Sequence, residues 1–227
     1  MSWNRNNFYD FIVENKVIGF FHKPIKLKSG RFSFFYVNWR DIVEDVYLTD
    51  ILSDFVINFV RYLKLRPNSF YGVPEGATKL GVITQYKWAK DQKDYSSNAY
   101  SLPMGRGKPK DHGDPKDMFF LGVPKGKTIV IEDVTTTGNS LIETIDKFKA
   151  LNVNVIAAIG LTNRNELRDD KKAVEKAIEE KGVNYYSMSD AIDLLPKIFK
   201  LINPGKEIGL QIEEYFDKYG VKKIKLL

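Results

Sequence analysis

The stretch at residues 128–145, TIVIEDVTTTGNSLIETI, narrows the choice of fold more than any other part of the chain. Residues 128–131 are all β-branched, three of them apolar, the signature of a short buried strand, and residues 139–151 carry the spacing of an amphipathic helix. Only a tight polar link separates the two. The same order recurs along the chain: a strand at 70–73 before a helix at 77–90, a strand at 153–161 before a helix at 169–181, and a strand at 183–188 before a helix that begins at Ser189. One more strand is expected at 100–102. Short strands alternating with helices of this length predict an α/β fold, a central mostly parallel sheet flanked by helices.

The flanking segments add to this frame. Phe8, Phe11, Ile12 and Val17 suit a helix over 8–18, and residues 22–38 suit extended chain with a turn at Ser29 and Gly30. Ile51, Leu52, Phe55, Val56, Phe59, Val60 and Leu63 form one helical stripe over 50–64, with Thr49 or Asp50 as N-cap. A last helix is expected at 206–219. Residues 103–127, dense in Gly, Pro and charge, are too polar for core and too long for a plain connector, which predicts a mobile lid. No repeat or linker splits the chain, so a single domain is expected: residues 1–48 as a small N-terminal hood, 49–195 as the core with its lid, and 196–227 as a helical extension.

Chemistry concentrates at the end of the 128–131 strand. Glu132 and Asp133 stand side by side, and Thr135, Thr136, Thr137, Gly138, Asn139 and Ser140 follow, leading into a helix. In an open parallel sheet ligands sit at the carboxyl ends of the strands, and a helix N-terminus offers free N–H groups and a positive dipole end to an anion. The hydroxyl-rich loop suits a phosphate. Two carboxylates before it suit a pair of sugar hydroxyls, so a ribose 5-phosphate matches the polarity of the whole segment. The Gly-Lys-Ser/Thr ending of a P-loop and the Gly-x-Gly-x-x-Gly fingerprint are both missing.

Composition removes other classes. The 227 residues include no Cys and two His, which excludes a disulfide framework, a thiolate nucleophile and Cys-ligated or His-rich metal sites. Any metal must be held by oxygens. The N-terminus lacks the layout of a signal peptide and no apolar run approaches a membrane span, so a soluble protein of the cytoplasm is expected, without membrane partners. The net charge of +6 is concentrated at the two ends, with Lys26, Lys28 and Arg31 near one and Lys218, Lys222, Lys223 and Lys225 near the other. No helix-turn-helix or basic stripe suits nucleic acid, and small polyanions are the expected partners.

The acidic pair and Thr/Gly loop resemble the 5-phosphoribosyl 1-diphosphate (PRPP) signature of the type I phosphoribosyltransferases. Three further segments resemble orotate phosphoribosyltransferase: Lys26 to Arg31 with Ser33, Phe35, Tyr36 and Asn38; Arg106 to Gly113, with its Lys-Asp-His-Gly core; and Ile159 to Glu166 at a strand end. The turn at 72–77 is similar to that family's diphosphate-contacting turn. Together these cover residues from about 10 to 195. The sequence departs from the family pattern at Gly107, where a second basic residue is common, at Val37, at Asn163 and at Glu75.

The resemblance implies a type I phosphoribosyltransferase fold with a long flexible lid loop, and an enzyme that converts orotate and PRPP to orotidine 5′-phosphate and diphosphate in pyrimidine (UMP) biosynthesis. It implies that Glu132 and Asp133 hold the ribose hydroxyls, and that Thr135, Thr136, Thr137, Gly138, Asn139 and Ser140 hold the 5′-phosphate. Glu75 and Gly76 contact the diphosphate, and Lys110 and His112, with Arg106 and Lys108, meet it from the lid. Lys28, Tyr36, Val37 and Arg164 receive the orotate, with Arg164 as the partner of its carboxylate. Mg²⁺ is expected mainly through PRPP, without an assigned protein ligand. A homodimer with the lid shared across subunits is also implied, and orotidine 5′-phosphate decarboxylase is a candidate associate. The alternatives are a phosphoribosyltransferase for another nucleobase, which should lack a cation for the orotate carboxylate, and a non-catalytic PRPP-responsive regulator.

Overall fold

The computed structural model of the chain describes residues 2–108, 110, 112 and 118–227. Four parallel strands form the central sheet: β3 (Ser69–Gly72), β6 (Lys127–Thr135), β7 (Asn154–Asn163) and β8 (Asn184–Asp190), side by side in that order. Their carboxyl ends therefore share one rim. Along β6 the side chains alternate between two hydrophobic clusters, Ile129 and Ile131 on one face and Val130 on the other. Helices α4 (Asn139–Ala150) and α5 (Val174–Glu179) cover the Val130 face through Leu141, Ile145, Phe148, Val174 and Ile178.

The opposite face carries the larger cluster. It takes in α1 (Arg5–Glu14), α2 (Val46–Tyr62) and α3 (Thr78–Lys90). The antiparallel hairpin β1 (Ile18–Lys26) and β2 (Phe32–Val37), with its turn at Ser29 and Gly30, joins the same cluster, as do α6 (Ala191–Ile202) and α7 (Lys206–Tyr219). A short 3-10 turn, Ile42–Glu44, links the hairpin to α2.

The structure moves several expected boundaries. Helix α1 begins earlier than residue 8, because the Asn4 side chain accepts from the backbone N–H of Asn6 and Asn7, and it ends before Val17. Helix α2 begins at Val46, capped by Asp45 accepting from the Leu48 N–H at 2.8 Å, not by Thr49 or Asp50. Its first turn escapes the apolar stripe because Val46 and Tyr47 face solvent. Strand β6 continues past Ile131, so the acidic pair lies on the strand itself. Residues 100–102 form no strand. The helix expected at 169–181 shrinks to Val174–Glu179, because the Asp170 side chain accepts from the Lys172 N–H and holds residues 168–172 in a turn.

The expected lid at 103–127 is rooted in the smaller core. Two short strands, β4 (Met104–Gly105) and β5 (Phe120–Leu121), pair antiparallel. Phe120 is 2% exposed, stacked 5.2 Å from Phe148 and edge-on to Tyr71, so part of this polar segment is core after all. Pro109, Asp111 and residues 113–117 of the proposed lid lie outside the described residues. No helix among the described residues is long and apolar enough to cross a membrane.

The C-terminal extension is packed, not a solvated end. Ile208, Ile212, Tyr215 and Phe216 of α7 are buried, Phe216 stacks 6.0 Å from Phe35 of β2, and Ile224 of the tail is buried as well. Lys222, Lys223 and Lys225 remain exposed beyond it.

Candidate active site

A cavity of about 300 Å³ opens at the rim where the parallel strands end. Glu132 and Asp133 of β6 form one wall. Neighbouring residues of a strand face opposite ways, yet both reach the cavity, because β3 stops at Gly72, opposite Ile131, and leaves the edge of β6 open beyond that point. The turn after β3 fills part of this opening with Pro74, Glu75 and Gly76. A Cβ on Gly76 would lie 2.0 Å from Asp133 Oδ2, so only glycine allows the turn to approach the carboxylate this closely.

The second wall is the start of α4. Thr136, Thr137, Gly138, Asn139 and Ser140 all line the cavity. Gly138 occupies the N-cap position with φ +70°, no side chain caps the helix, and its first turn holds no acid. Uncapped N–H groups and the positive end of the helix therefore face the cavity, as an anion site requires. Arg168 braces this loop from outside, donating from Nη1 to the Thr137 carbonyl and, at 2.9 Å, to Asn139 Oδ1.

Thr135 does not belong to this set. It ends β6, its hydroxyl accepts from buried Tyr185 at 2.8 Å, and its carbonyl accepts from the Arg164 N–H. Its contribution is to fix the backbone that carries Arg164.

The hood supplies the third wall through Lys28, Tyr36 and Val37, together with Asn38 and Arg40. Lys28 Nζ donates to Ser140 Oγ at 3.0 Å, which spans the cavity from hood to helix. Arg164, at the end of β7's last pairings, reaches the same cavity although it is 1% exposed. Its Nε donates to Glu166 Oε1 at 2.6 Å and its Nη2 to Ser33 Oγ at 3.0 Å, and its guanidinium lies 3.9 Å over the Phe35 ring. Asn163 is turned elsewhere. Its side chain donates to Glu175 and accepts from the Asn165 N–H, outside the cavity lining.

Of the lid, Arg106, Lys108, Lys110 and His112 are absent from the lining of this chain's own cavity. Arg106 and Lys110 donate their backbone N–H groups to Phe119 and Met118, and Lys108 and His112 are exposed. Gly107 sits against the diphosphate-type turn, since a Cβ there would lie 2.2 Å from Glu75 Oε1. The two departures from the family pattern thus meet in space.

Burial pushes the Glu132 carboxyl up to about 8; Asp133 beside it acts in the same direction and Lys28 opposes it. Asp133 is also raised, chiefly by burial, against the Val134 N–H and the charges of Arg40 and Lys28. No group of three or more His, Asp or Glu residues able to hold a metal is found among the described residues. Arg40 and Glu143, which also line the cavity, were not expected from sequence. Arg40 carries a sequence signal, a cation three residues beyond the aromatic strand. Glu143 has none, since an acid one turn into a helix is ordinary surface.

No protein-family model matches the chain. The chain is 26% identical over 230 residues to an orotate phosphoribosyltransferase of Clostridium botulinum strain Alaska E43, covering 98% of this chain and 100% of that protein. It is 28% identical over 233 residues to the corresponding protein of strain Eklund 17B, with the same coverage. Among solved structures, orotate phosphoribosyltransferase from Francisella tularensis superposes with a TM-score of 0.66 at 19% identity, over 94% of this chain and 99% of that one.

Proposed function

We infer that this chain, which belongs to the orotate phosphoribosyltransferase family and has the type I phosphoribosyltransferase fold, joins orotate to the ribose of PRPP and releases diphosphate. The observation that carries the reading is the meeting of three chemistries in one cavity: an acidic pair, an uncapped helix N-terminus, and a buried arginine. The first two suit a ribose 5-phosphate and the third suits a planar carboxylate.

Orotate N1 forms a bond to C1 of the ribose and releases its proton to water, as the bond from C1 to the diphosphate oxygen breaks and its electron pair leaves with diphosphate. Positive charge grows on the ribose and negative charge on the leaving group, so catalysis needs orientation and cations more than a covalent nucleophile. Asp133 and Glu132 accept from the ribose hydroxyls and hold C1 toward the base. Thr136, Thr137, Gly138, Asn139 and Ser140 hold the 5′-phosphate, with Arg168 bracing them. Tyr36 and Val37 form the ring wall, Arg164 takes the orotate carboxylate, and Lys28 stands between base and phosphate.

Glu75 and Gly76 meet the diphosphate from the β3 turn. An oxygen-only donor set fits Mg²⁺ brought in mainly by the substrate, and Glu75, Glu132 and Asp133 are the cavity carboxylates that would help to hold it. When bound, Mg²⁺ neutralises the charge that develops on diphosphate. Lys110 and His112, supported by Arg106 and Lys108, supply the remaining cations from the lid. Because they lie outside their own chain's cavity, a homodimer in which each lid serves the partner's site is part of the proposal.

Diphosphate release from PRPP with orotate, uracil, hypoxanthine and adenine in parallel tests the assignment. Turnover with orotate alone is expected. Lys110→Ala and Asp133→Asn should each lower it at least about a hundredfold, the scale of a lost transition-state contact; activity preferring a purine, or unaffected by both changes, overturns the reading.

A further inference from the structure

Arg164 is held in a way that leaves part of it unused. A guanidinium has five N–H donors. Nε bonds Glu166 Oε1 at 2.6 Å, Nη2 bonds Ser33 Oγ at 3.0 Å, and Nη1 reaches the Phe35 carbonyl at 3.5 Å. Nη1 and Nη2 each carry a second N–H, and Arg164 lines the cavity, with the Tyr215 ring 5.9 Å from its guanidinium. Glu166 is fully buried and could satisfy itself by gripping Arg164 at two points, the preferred arrangement of a guanidinium and a carboxylate. It does not, because its other oxygen is taken.

The occupant of that oxygen is Arg31, in the turn of the hood hairpin. Its Nη1 donates to Glu166 Oε2 at 2.9 Å, while Nη2 donates to the Leu167 carbonyl at 2.8 Å and to Asp169 at 3.0 Å. The Arg31 guanidinium lies 4.5 Å over the Tyr219 ring, and the Tyr219 carbonyl accepts from the Leu167 N–H at 2.6 Å. The last turn of α7 thus fixes Arg31 from one side while Glu166 fixes it from the other. In charge terms, one buried carboxylate is shared by two buried guanidinium groups, and Asp169 is 98% exposed, where water screens it.

We propose that Arg31 is a positioning residue for base recognition: by occupying Glu166 Oε2 it prevents Glu166 from closing a two-point grip on Arg164, and so leaves the free edge and charge of Arg164 for the carboxylate of the base. This rests on the reading of Arg164 as the carboxylate partner. It also gives the C-terminal helix a role in specificity, since Tyr219 holds Arg31 in place. Without Arg31, Glu166 turns its second oxygen to Arg164, cancels its charge and competes with substrate.

Steady-state kinetics of the full-length enzyme with orotate and PRPP test this, using Arg31→Gln, Arg31→Lys, Tyr219→Leu and Arg164→Gln. Arg31→Gln is expected to raise the KM for orotate about tenfold, the scale of one charge-assisted hydrogen bond, while the KM for PRPP stays within about twofold. Arg31→Lys, which keeps a cation on Oε2, should recover most of the orotate KM. Tyr219→Leu should raise it about threefold with the same split, and carries the test if Arg31→Gln does not fold. A merely structural role would move both KM values together or neither. If Arg164→Gln raises the orotate KM but neither Arg31→Gln nor Tyr219→Leu does, the role of Arg31 is overturned and that of Arg164 stands. If Arg164→Gln itself leaves the orotate KM unchanged, both fail.

Discussion

At the scale of single residues, the cavity depends on close approaches that a sequence cannot display. Gly76 is the sharpest case: an added methyl would collide with the Asp133 carboxylate, a short side chain with little room to yield. Gly76→Ala should leave the fold intact, because the turn is at the rim, but raise the KM for PRPP at least about tenfold, measurable beside the thermal midpoint of the same variant. Glu132 gives a prediction in pH. Its carboxyl moves from an ordinary value of 4.5 up to about 8 on folding, so the folded protein binds this proton more tightly than the unfolded chain does. That contribution to stability is fully present below about 4.5 and lost as pH rises through about 8, and Asp133 acts with the same sign. The melting temperature of the ligand-free protein should therefore fall between pH 5 and 8, and Glu132→Gln should flatten most of that slope. A wild-type melting temperature that stays level or rises over this range would contradict it. The acidic pair and the Thr136 to Ser140 loop were legible because their chemistry is contiguous in sequence. Thr135 was not separable from them, since only the strand's extension to that residue turns its hydroxyl toward Tyr185. Arg31 and Glu166 stand 135 residues apart and become partners only through the fold.

Elements were legible where one face is apolar and the period shows it. α7 matches its expected bounds, and α3 and α4 each differ by one residue at a single end. Their ends were lost where polar groups set them, as with Asn4, Asp45 and the Asp170 turn. The lid shows a further limit: composition averaged over residues 103–127 hid Phe120, whose ring is wedged between Tyr71 and Phe148. This anchor should make the lid's root part of the cooperative fold. Phe120→Ala is expected to cost about 3–5 kcal/mol, the usual range for a buried Phe truncated to Ala, and to lower the melting temperature by roughly 10 °C for a chain of this size. Calorimetry checks the number. Phe120→Leu, which refills most of the volume, should recover more than half of the loss, whereas an equal loss in both variants would mean that the ring stacking itself, not the filled space, holds β5 in place.

At the scale of the whole molecule, the hood and the lid attach to different cores. The hairpin with Lys28, Tyr36 and Val37 belongs to the cluster containing α2, α6 and α7, whereas the lid's root belongs to the cluster beneath α4 and α5. The cavity is lined from the hood, the sheet rim and α4, with none of the described lid residues among its lining. An assembly of two chains resolves this if each lid serves its partner, an arrangement that spacing within one sequence has no means of encoding. The consequence is complementation. Lys110→Ala chains keep an intact cavity but carry a defective lid, and Asp133→Asn chains keep an intact lid but carry a defective cavity. In a mixed dimer with shared sites, one of the two sites combines the intact lid with the intact cavity. Random exchange of equal amounts makes about half of the dimers mixed, so turnover should recover to roughly one quarter of wild type from two nearly inactive parents. Native mass spectrometry of the same mixture reports how far subunits have exchanged. Full exchange with turnover still at the level of the parents would mean that each lid serves its own chain, and the shared-site dimer would have to be abandoned.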